Sequence, residues 1–277
     1  MMPMQSSIWP NNAACAVMIT VNLDAEYAAK AFSEEVDVTE GSSAEILGRD
    51  GMESGLPRLL QVLDKFKVPA TFFVQGKVAL KYGDLLGNIL DQGHEIGCRG
   101  YENENLSLPS QEEQANIINQ SKAAIIKSCG VTPIGFRAPA GELTLDTLKI
   151  VKNSGFFYSS TLCDNDTPYF INGLDLLEIP IHPALYDYPY FVFHFDPPIP
   201  SGQSRISYGD DVLANWQWEY DGYHRYGGCC VLQLDPQITG SQGRIYLLEK
   251  LLEYIKAKGN CWFATGAQVH QLFLQNK

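Results

Sequence analysis

Five histidines occur in 277 residues, at 94, 182, 194, 224 and 270, and no two are four apart. That leaves no Asp-His-His zinc site of the usual spacing. The seven cysteines are odd in number and scattered, and none forms a Cys-x-x-Cys pair. A zinc ribbon and a dithiol redox centre are therefore not expected, and free thiols in a reducing compartment fit best. Basic residues are few, 20 against 32 acidic, for a net charge of −12. Nucleic acid and anionic membranes need Lys/Arg-rich faces, so neither is expected as a partner. No apolar run approaches the roughly 20 residues that span a bilayer, and residues 1–12 lack the basic-then-apolar pattern of a secretory signal. Gly240-Ser-Gln-Gly243 lacks the Lys-Ser/Thr ending of a phosphate loop. There is no 20–50-residue repeat and no low-complexity linker. These absences predict a cytoplasmic chain with one domain over 1–277.

What is present alternates. Apolar runs at 14–24, 69–75, 94–98, 133–137, 156–162, 176–181, 229–235 and 260–264 read as buried strands. Between them, Leu56, Leu59, Leu60 and Leu63 have helical spacing, and 78–90 is helical again. Ser110 with Glu113 forms a capping box for a helix that stops at Gly130. Further helices are predicted at 143–153, 210–226, 243–257 and 267–274. The stretch 25–51 is acidic, with Glu34, Glu35, Asp37 and Glu40, and reads as a long loop; 183–207 is rich in proline and aromatics and reads as irregular. Eight strand–helix units predict an α/β fold, a distorted (β/α) barrel of about seven to eight parallel strands.

Polar residues finish the strands consistently: Asp24, Gln75, Arg99, Arg137, His182 and Asp235. The carboxyl ends of parallel strands are where such folds bind ligands, so these six point to one mouth. His94, inside an apolar strand, reads as a core histidine. Trp216, Tyr220 and Tyr223, at i, i+4 and i+7, read as the buried face of a helix. Glu102 and Glu104 read as solvated loop charges, and Asp164 and Asp166 as turn formers.

Several short segments in this order resemble the polysaccharide deacetylases with the NodB-homology domain. They are Asn22-Leu23-Asp24, Gly93-His94-Glu95-Ile96-Gly97 running into Arg99-Gly100-Tyr101, and Gly135-Phe136-Arg137-Ala138-Pro139. Gly155-Phe156-Phe157-Tyr158-Ser159-Ser160, Asp235-Pro236-Gln237 with Gly243-Arg244, and Trp262-Phe263-Ala264-Thr265 complete the set. The likeness runs over nearly the whole chain and is greatest to the intracellular branch that includes peptidoglycan-deacetylase-like proteins and allantoinases.

In that family an Asp and two His four residues apart hold a divalent metal, commonly zinc, a second Asp is the base, and a late His is the acid. The resemblance puts Asp24 at the metal-binding Asp, Asn22 at the base, Arg99 and Asn103 at the two histidines, Asp235 at the late His, and Arg137 at the arginine that orients the base. An amide takes no proton from water, and arginine repels a metal. The resemblance therefore implies a hydrolase fold for non-peptide carbon–nitrogen bonds with no metal and no cofactor. Asn22, Asp24, Arg137 and Asp235 are the candidate catalytic positions. Arg99, Asn103, Tyr101 and His182 are the candidate ligand contacts. An Arg99–Asp24 ion pair is expected where the metal would stand, with Asn22 and Asn103 hydrogen-bonded around it. Three functions remain open. One is binding of a small polar or sugar-like molecule without metal-dependent deacetylation; another is metal-independent hydrolysis of a cyclic amide, as in allantoinases; the third is metal-dependent deacetylation with unusual ligands. The same resemblance implies a homo-oligomer, a tetramer or dimer.

Overall fold

The structure, a computed structural model, describes residues 7–31, 39–139, 143–192, 194–195, 198–199 and 206–277. Its strands are β1 (Cys15–Leu23), β2 (Ala70–Val74), β3 (Glu95–Cys98), β4 (Gly135–Phe136), β5 (Tyr158–Ser159), β6 (Tyr169–Phe170), β7 (Leu177–Glu178), β8 (His194–Phe195), β9 (Pro198–Ile199), β10 (Cys229–Leu234) and β11 (Cys261–Phe263). The helices are α1 (Ser43–Asp50), α2 (Leu56–Phe66), α3 (Gly76–Lys81), α4 (Gly83–Asp91), α5 (Gln111–Cys129), α6 (Leu145–Asn153), α7 (Tyr188–Phe191), α8 (Gly209–Tyr226), α9 (Ile245–Lys258) and α10 (Gly266–Gln275).

Nine strands form one sheet in the order β10-β1-β2-β3-β4-β5-β7-β6, with β11 also on β1. Only β6 runs antiparallel to its neighbour. One edge of β1 is shared, by β11 along residues 15–17 and by β2 along 19–23, while β10 takes the other. A parallel bridge between Tyr186 and Gln233 ties the segment after β7 back to β10. The result is a curled, half-barrel sheet, parallel but for β6, with helices between its strands, in line with the (β/α) alternation of the sequence.

All nine residues of β1 are buried, and the strand feeds two cores. Val17, Ile19, Val21 and Leu23 pack outward under the helices, against Leu56, Leu59, Leu63 and Trp216 among others. Ala16 and Met18 pack inside the curl with Phe73, Tyr158, Leu177 and Val231. Above Met18 the inward positions of β1 become Thr20 and Asn22, both fully buried. The floor of the curl is sealed by Glu95, which accepts from the hydroxyls of Thr71 (2.9 Å) and Tyr158 (2.8 Å) and from Ala267 N–H (2.9 Å) at the start of α10.

The capping box of α5 is present, with Gly130 left-handed at its end (φ 73°). Four segments differ from the sequence expectation. The acidic loop 25–51 holds α1, capped by Ser42, which runs through a π-turn (Gly51–Gly55) into α2. Gly48 inside α1, with Gly51 just after it, hid this helix, because glycine disfavours helix by propensity. Gly48 and, in the π-turn, Gly55 are there for contact: a Cβ on Gly48 would fall 2.1 Å from Glu26 N, and one on Gly55 2.1 Å from Pro236 O. Glu34, Glu35 and Asp37 lie outside the described residues. The single helix expected over 78–90 is two, α3 and α4, broken at Tyr82. The irregular stretch 183–207 contains α7 and the β8–β9 pair. Lastly β6, two residues long, carried no periodicity to read. No helix among the described residues is long and apolar enough to cross a membrane.

Candidate ligand site at the strand ends

Register gathers the site. Leu23 pairs with Val74, Val74 with Cys98 and Cys98 with Phe136. The next residues along, Asp24, Gln75, Arg99 and Arg137, therefore emerge side by side at one level. Asp235 follows the Val21–Leu234 pair on the other flank of β1.

Asp24 Oδ1 accepts from Gln75 Nε2 and from Arg99 Nε, each at 2.7 Å. The rest of the Arg99 guanidinium donates to the carbonyls of Ala138 (2.9 Å) and Pro139 (3.2 Å). Arg99 and Asp24 are 7 % and 3 % exposed, so the pair is close to dry. Burial, the largest single influence, works against the Arg99 charge, but Asp24, Tyr186 and Asp235 together outweigh it and hold the guanidinium above its ordinary value.

Arg137 is spread over neutral acceptors: Ser160 O (2.8 Å), Ser160 Oγ (2.9 Å), Thr20 Oγ1 (2.8 Å) and Asn22 Oδ1 (3.2 Å). It stacks on Phe73 at 4.2 Å. With no carboxylate among the described residues bonded to it, burial and then the charge of Arg99 push it down to about 9. Asn22 Nδ2 is buried without an acceptor among the described residues.

On the opposite side, Tyr186 donates to Asp235 Oδ2 at 3.0 Å, and Asp235 Oδ1 is buried without a donor among the described residues. Burial raises the Asp235 carboxyl well above the carboxylate range, and the charges of Asp187 and Asp24 add to this. Asp187, fully buried, is pushed up to about 7 by burial. Glu178, at the end of β7, is likewise raised to about 7 by burial, although Thr161 and Leu162 N–H both donate to its Oε1.

The structure thus brings Asn22, Asp24, Arg99, Arg137 and Asp235 to one mouth. Neither asparagine bonds the ion pair, which corrects that part of the expectation. Asn22 serves Arg137, and Asn103 Nδ2 donates to Tyr27 O (3.1 Å) and Ala28 O (3.3 Å), latching the segment after β1. Tyr101 packs its ring against the backbone of Gly76, away from the ion pair's hydrogen bonds, and Glu104 ties its loop by accepting from Tyr101 and Glu102 N–H. Glu102 pairs with Lys77, so neither glutamate is merely solvated. His182 is exposed, and its Nδ1 accepts Ala184 N–H. It caps a short turn, because the chain bends there before reaching the mouth. His94 accepts from Ala70 N–H in the core, and Trp216 and Tyr220 are buried, as read.

Sequence reasoning missed Tyr186, Asp187 and Glu178. The first two sit in a Pro/Tyr-rich stretch without periodicity; Glu178, a charge inside the apolar run Leu-Leu-Glu-Ile-Pro-Ile, was the one signal available. Among the described residues, no group of three or more His, Cys, Asp or Glu gathers as a metal ion needs.

The family model for polysaccharide deacetylase matches residues 47–159. The peptidoglycan deacetylase of Helicobacter pylori is 28% identical over 255 residues, covering 80% of this chain and 85% of its own. A crystal structure assigned to the polysaccharide deacetylases, from Mycobacterium smegmatis, superposes with a TM-score of 0.89 at 31% identity, covering 97% of this chain and 93% of its own. Puue allantoinase has the same fold, with a TM-score of 0.81 at 19% identity over 98% of this chain and 94% of its own.

Proposed function

The chain belongs to the polysaccharide deacetylase family, and from that premise we propose that it binds a small polar or sugar-like ligand at the Asp24–Arg99–Asp235 mouth without the family's divalent metal. The observation that carries this is the 2.7 Å contact of Arg99 Nε with Asp24 Oδ1. The resemblance would seat a metal among Asp24, Arg99 and Asn103, and the donors do not suit one. A permanently charged guanidinium, fixed by two carbonyls, stands against the carboxylate. The third position offers only an amide oxygen, a weak ligand. Neutral Asn22, bonded to Arg137, is no base. Lost metal-dependent deacetylation, a single domain over 1–277, a cytoplasmic setting and a homo-oligomer all belong to this reading.

The test is calorimetric titration of the protein with N-acetylglucosamine oligomers and with a cyclic ureide. One of these should bind, and Arg99→Met should weaken it at least tenfold, the order expected for a charge-assisted contact. Unchanged binding by Arg99→Met would refute the site.

A second reading has its own support in the raised Asp235 carboxyl: metal-independent hydrolysis of a cyclic amide. Asp24 Oδ1 holds both protein bonds, which leaves Oδ2 to take a proton from water as its oxygen bonds the amide carbon. Asp235 then gives its proton to the departing nitrogen as the carbon–nitrogen bond breaks. Stabilisation of the developing oxyanion falls to Arg99 or Arg137. This reading requires turnover of the ureide that is lost in Asp235→Asn.

A further inference from the structure

Asp187 has no part in the site as read from the sequence, yet it is the residue most closely built around Asp235. It lies on the segment that the Tyr186–Gln233 bridge fastens to β10, and its own N–H donates to Gln233 O at 3.1 Å. Its Oδ2 accepts from Asp235 N–H (2.9 Å) and Thr239 Oγ1 (2.6 Å). Both carboxyls are at most 1 % exposed, and Oδ1 of each lacks a donor among the described residues.

The charges around them are few. Asp24 approaches from β1 and Arg99 from β3, while Tyr186 and Tyr188 flank Asp187 on its own segment. Arg244 approaches from the turn before α9. Arg99 is committed to Asp24 and two carbonyls. Arg244 donates to Ile238 O and stacks on Phe191 at 5.0 Å. No ion pair reaches either acid among the described residues. Two adjacent dry carboxylates without a paired cation cannot both stay charged.

We propose that Asp187 and Asp235 hold one proton between them at neutral pH, with Asp187 as the positioning residue that keeps the proton on Asp235. The donors decide the side. Asp187 receives an N–H and an O–H, which favour its charged form, whereas Asp235 receives only the Tyr186 hydroxyl and also faces Asp24. The direction of both shifts agrees: burial lifts both acids, and the charge of Asp187 lifts Asp235 further. The pair titrates as a unit. This rests on Asp235 being the acid of the mouth, but its test reads the proton and needs no ligand or turnover.

The full chain, labelled with 13C at the aspartate carboxyls, is titrated by NMR. At pH 7 one buried carboxyl should be protonated, and its resonance should vanish in Asp235→Asn. Asp187→Asn keeps an oxygen for Thr239 and Asp235 N–H but removes the charge, so the Asp235 midpoint should fall by about one pH unit or more. In Asp235→Asn the upper transition should disappear while Asp187, which faces a neutral neighbour in both proteins, keeps its midpoint, and this keeps the test decisive if Asp187→Asn does not fold. An Asp235 midpoint that stays where it is in Asp187→Asn, a protonated carboxyl that survives in Asp235→Asn, or two ionised carboxyls at pH 7 would overturn the proposal. A protein that binds no sugar but shows these shifts would retain the pair and lose only the ligand reading.

Discussion

Arg99 Nε and Asp24 Oδ1 lie 2.7 Å apart between the ends of β3 and β1, almost out of reach of water. Gln75 holds the same oxygen from the strand between them. Each charge in this group is tolerated because the other is there.

Removing one partner should therefore cost far more than removing both. Arg99→Met leaves a buried carboxylate uncompensated and should destabilise the fold by about 3–5 kcal/mol, and Asp24→Asn by a comparable amount. The double variant should fall well short of the sum. Urea unfolding of the four proteins at pH 7 measures this, and additive losses would mean that the pair is not coupled.

Arg137 is the complementary case, a buried cation facing neutral acceptors. Asn22→Asp places a carboxylate where Asn22 Oδ1 already sits, 3.2 Å from the guanidinium. The variant should be more stable by about 1–3 kcal/mol, the range for a hydrogen bond to a charged partner. Thermal unfolding reads it directly; a lower midpoint would show that the arginine needs no counter-charge.

Two glycines should answer alanine with opposite signs. In Gly55→Ala the new Cβ meets Pro236 O and presses on the turn that carries Asp235, so a loss of about 1–3 kcal/mol is expected. Gly87, inside α4, has nothing within 4 Å of a new Cβ. Gly87→Ala should gain about 0.5–1 kcal/mol by removing backbone freedom from the unfolded chain. Chemical denaturation of both variants is sufficient.

Glu178 gives the stability a pH dependence of definite sign. Its carboxyl is raised in the folded chain from 4.5 to about 7, mainly by burial. Between those values the folded state holds a proton that the unfolded state has released, so stability falls as pH rises through the window and levels off above it. Glu178→Gln keeps an acceptor for the Thr161 and Leu162 N–H groups and cannot ionise. Its stability relative to wild type should improve by on the order of 3 kcal/mol between pH 4 and pH 8. Parallel curves for the two proteins would show that Glu178 does not carry the slope.

The eight strands read from the sequence were legible because each is a short apolar run, whereas β6, β8 and β9 were not, and the sheet's register then makes neighbours of strand-end residues. Hence Asp24, Gln75, Arg99, Arg137 and Asp235 were placed from sequence, while His182, read as a strand end, was not brought in because β7 already stops at Glu178 and His182 caps the turn that follows. Asp187 was not legible. It reaches the mouth through a single bridge from an irregular segment, and nothing local distinguishes it from the turn-forming aspartates. Helix α1 was obscured by Gly48, which is there for contact with the backbone at Glu26, a tertiary reason that no window of sequence contains.

On the proposed reading, the Arg99 guanidinium stands where the family would hold its metal. Metal analysis of the full-length protein after incubation with excess zinc and dialysis tests it most directly, with an assay on an acetylated amino-sugar oligomer run on the same sample. Well under one zinc per chain and no release of acetate is the predicted result. One tightly held zinc per chain with deacetylation would contradict it.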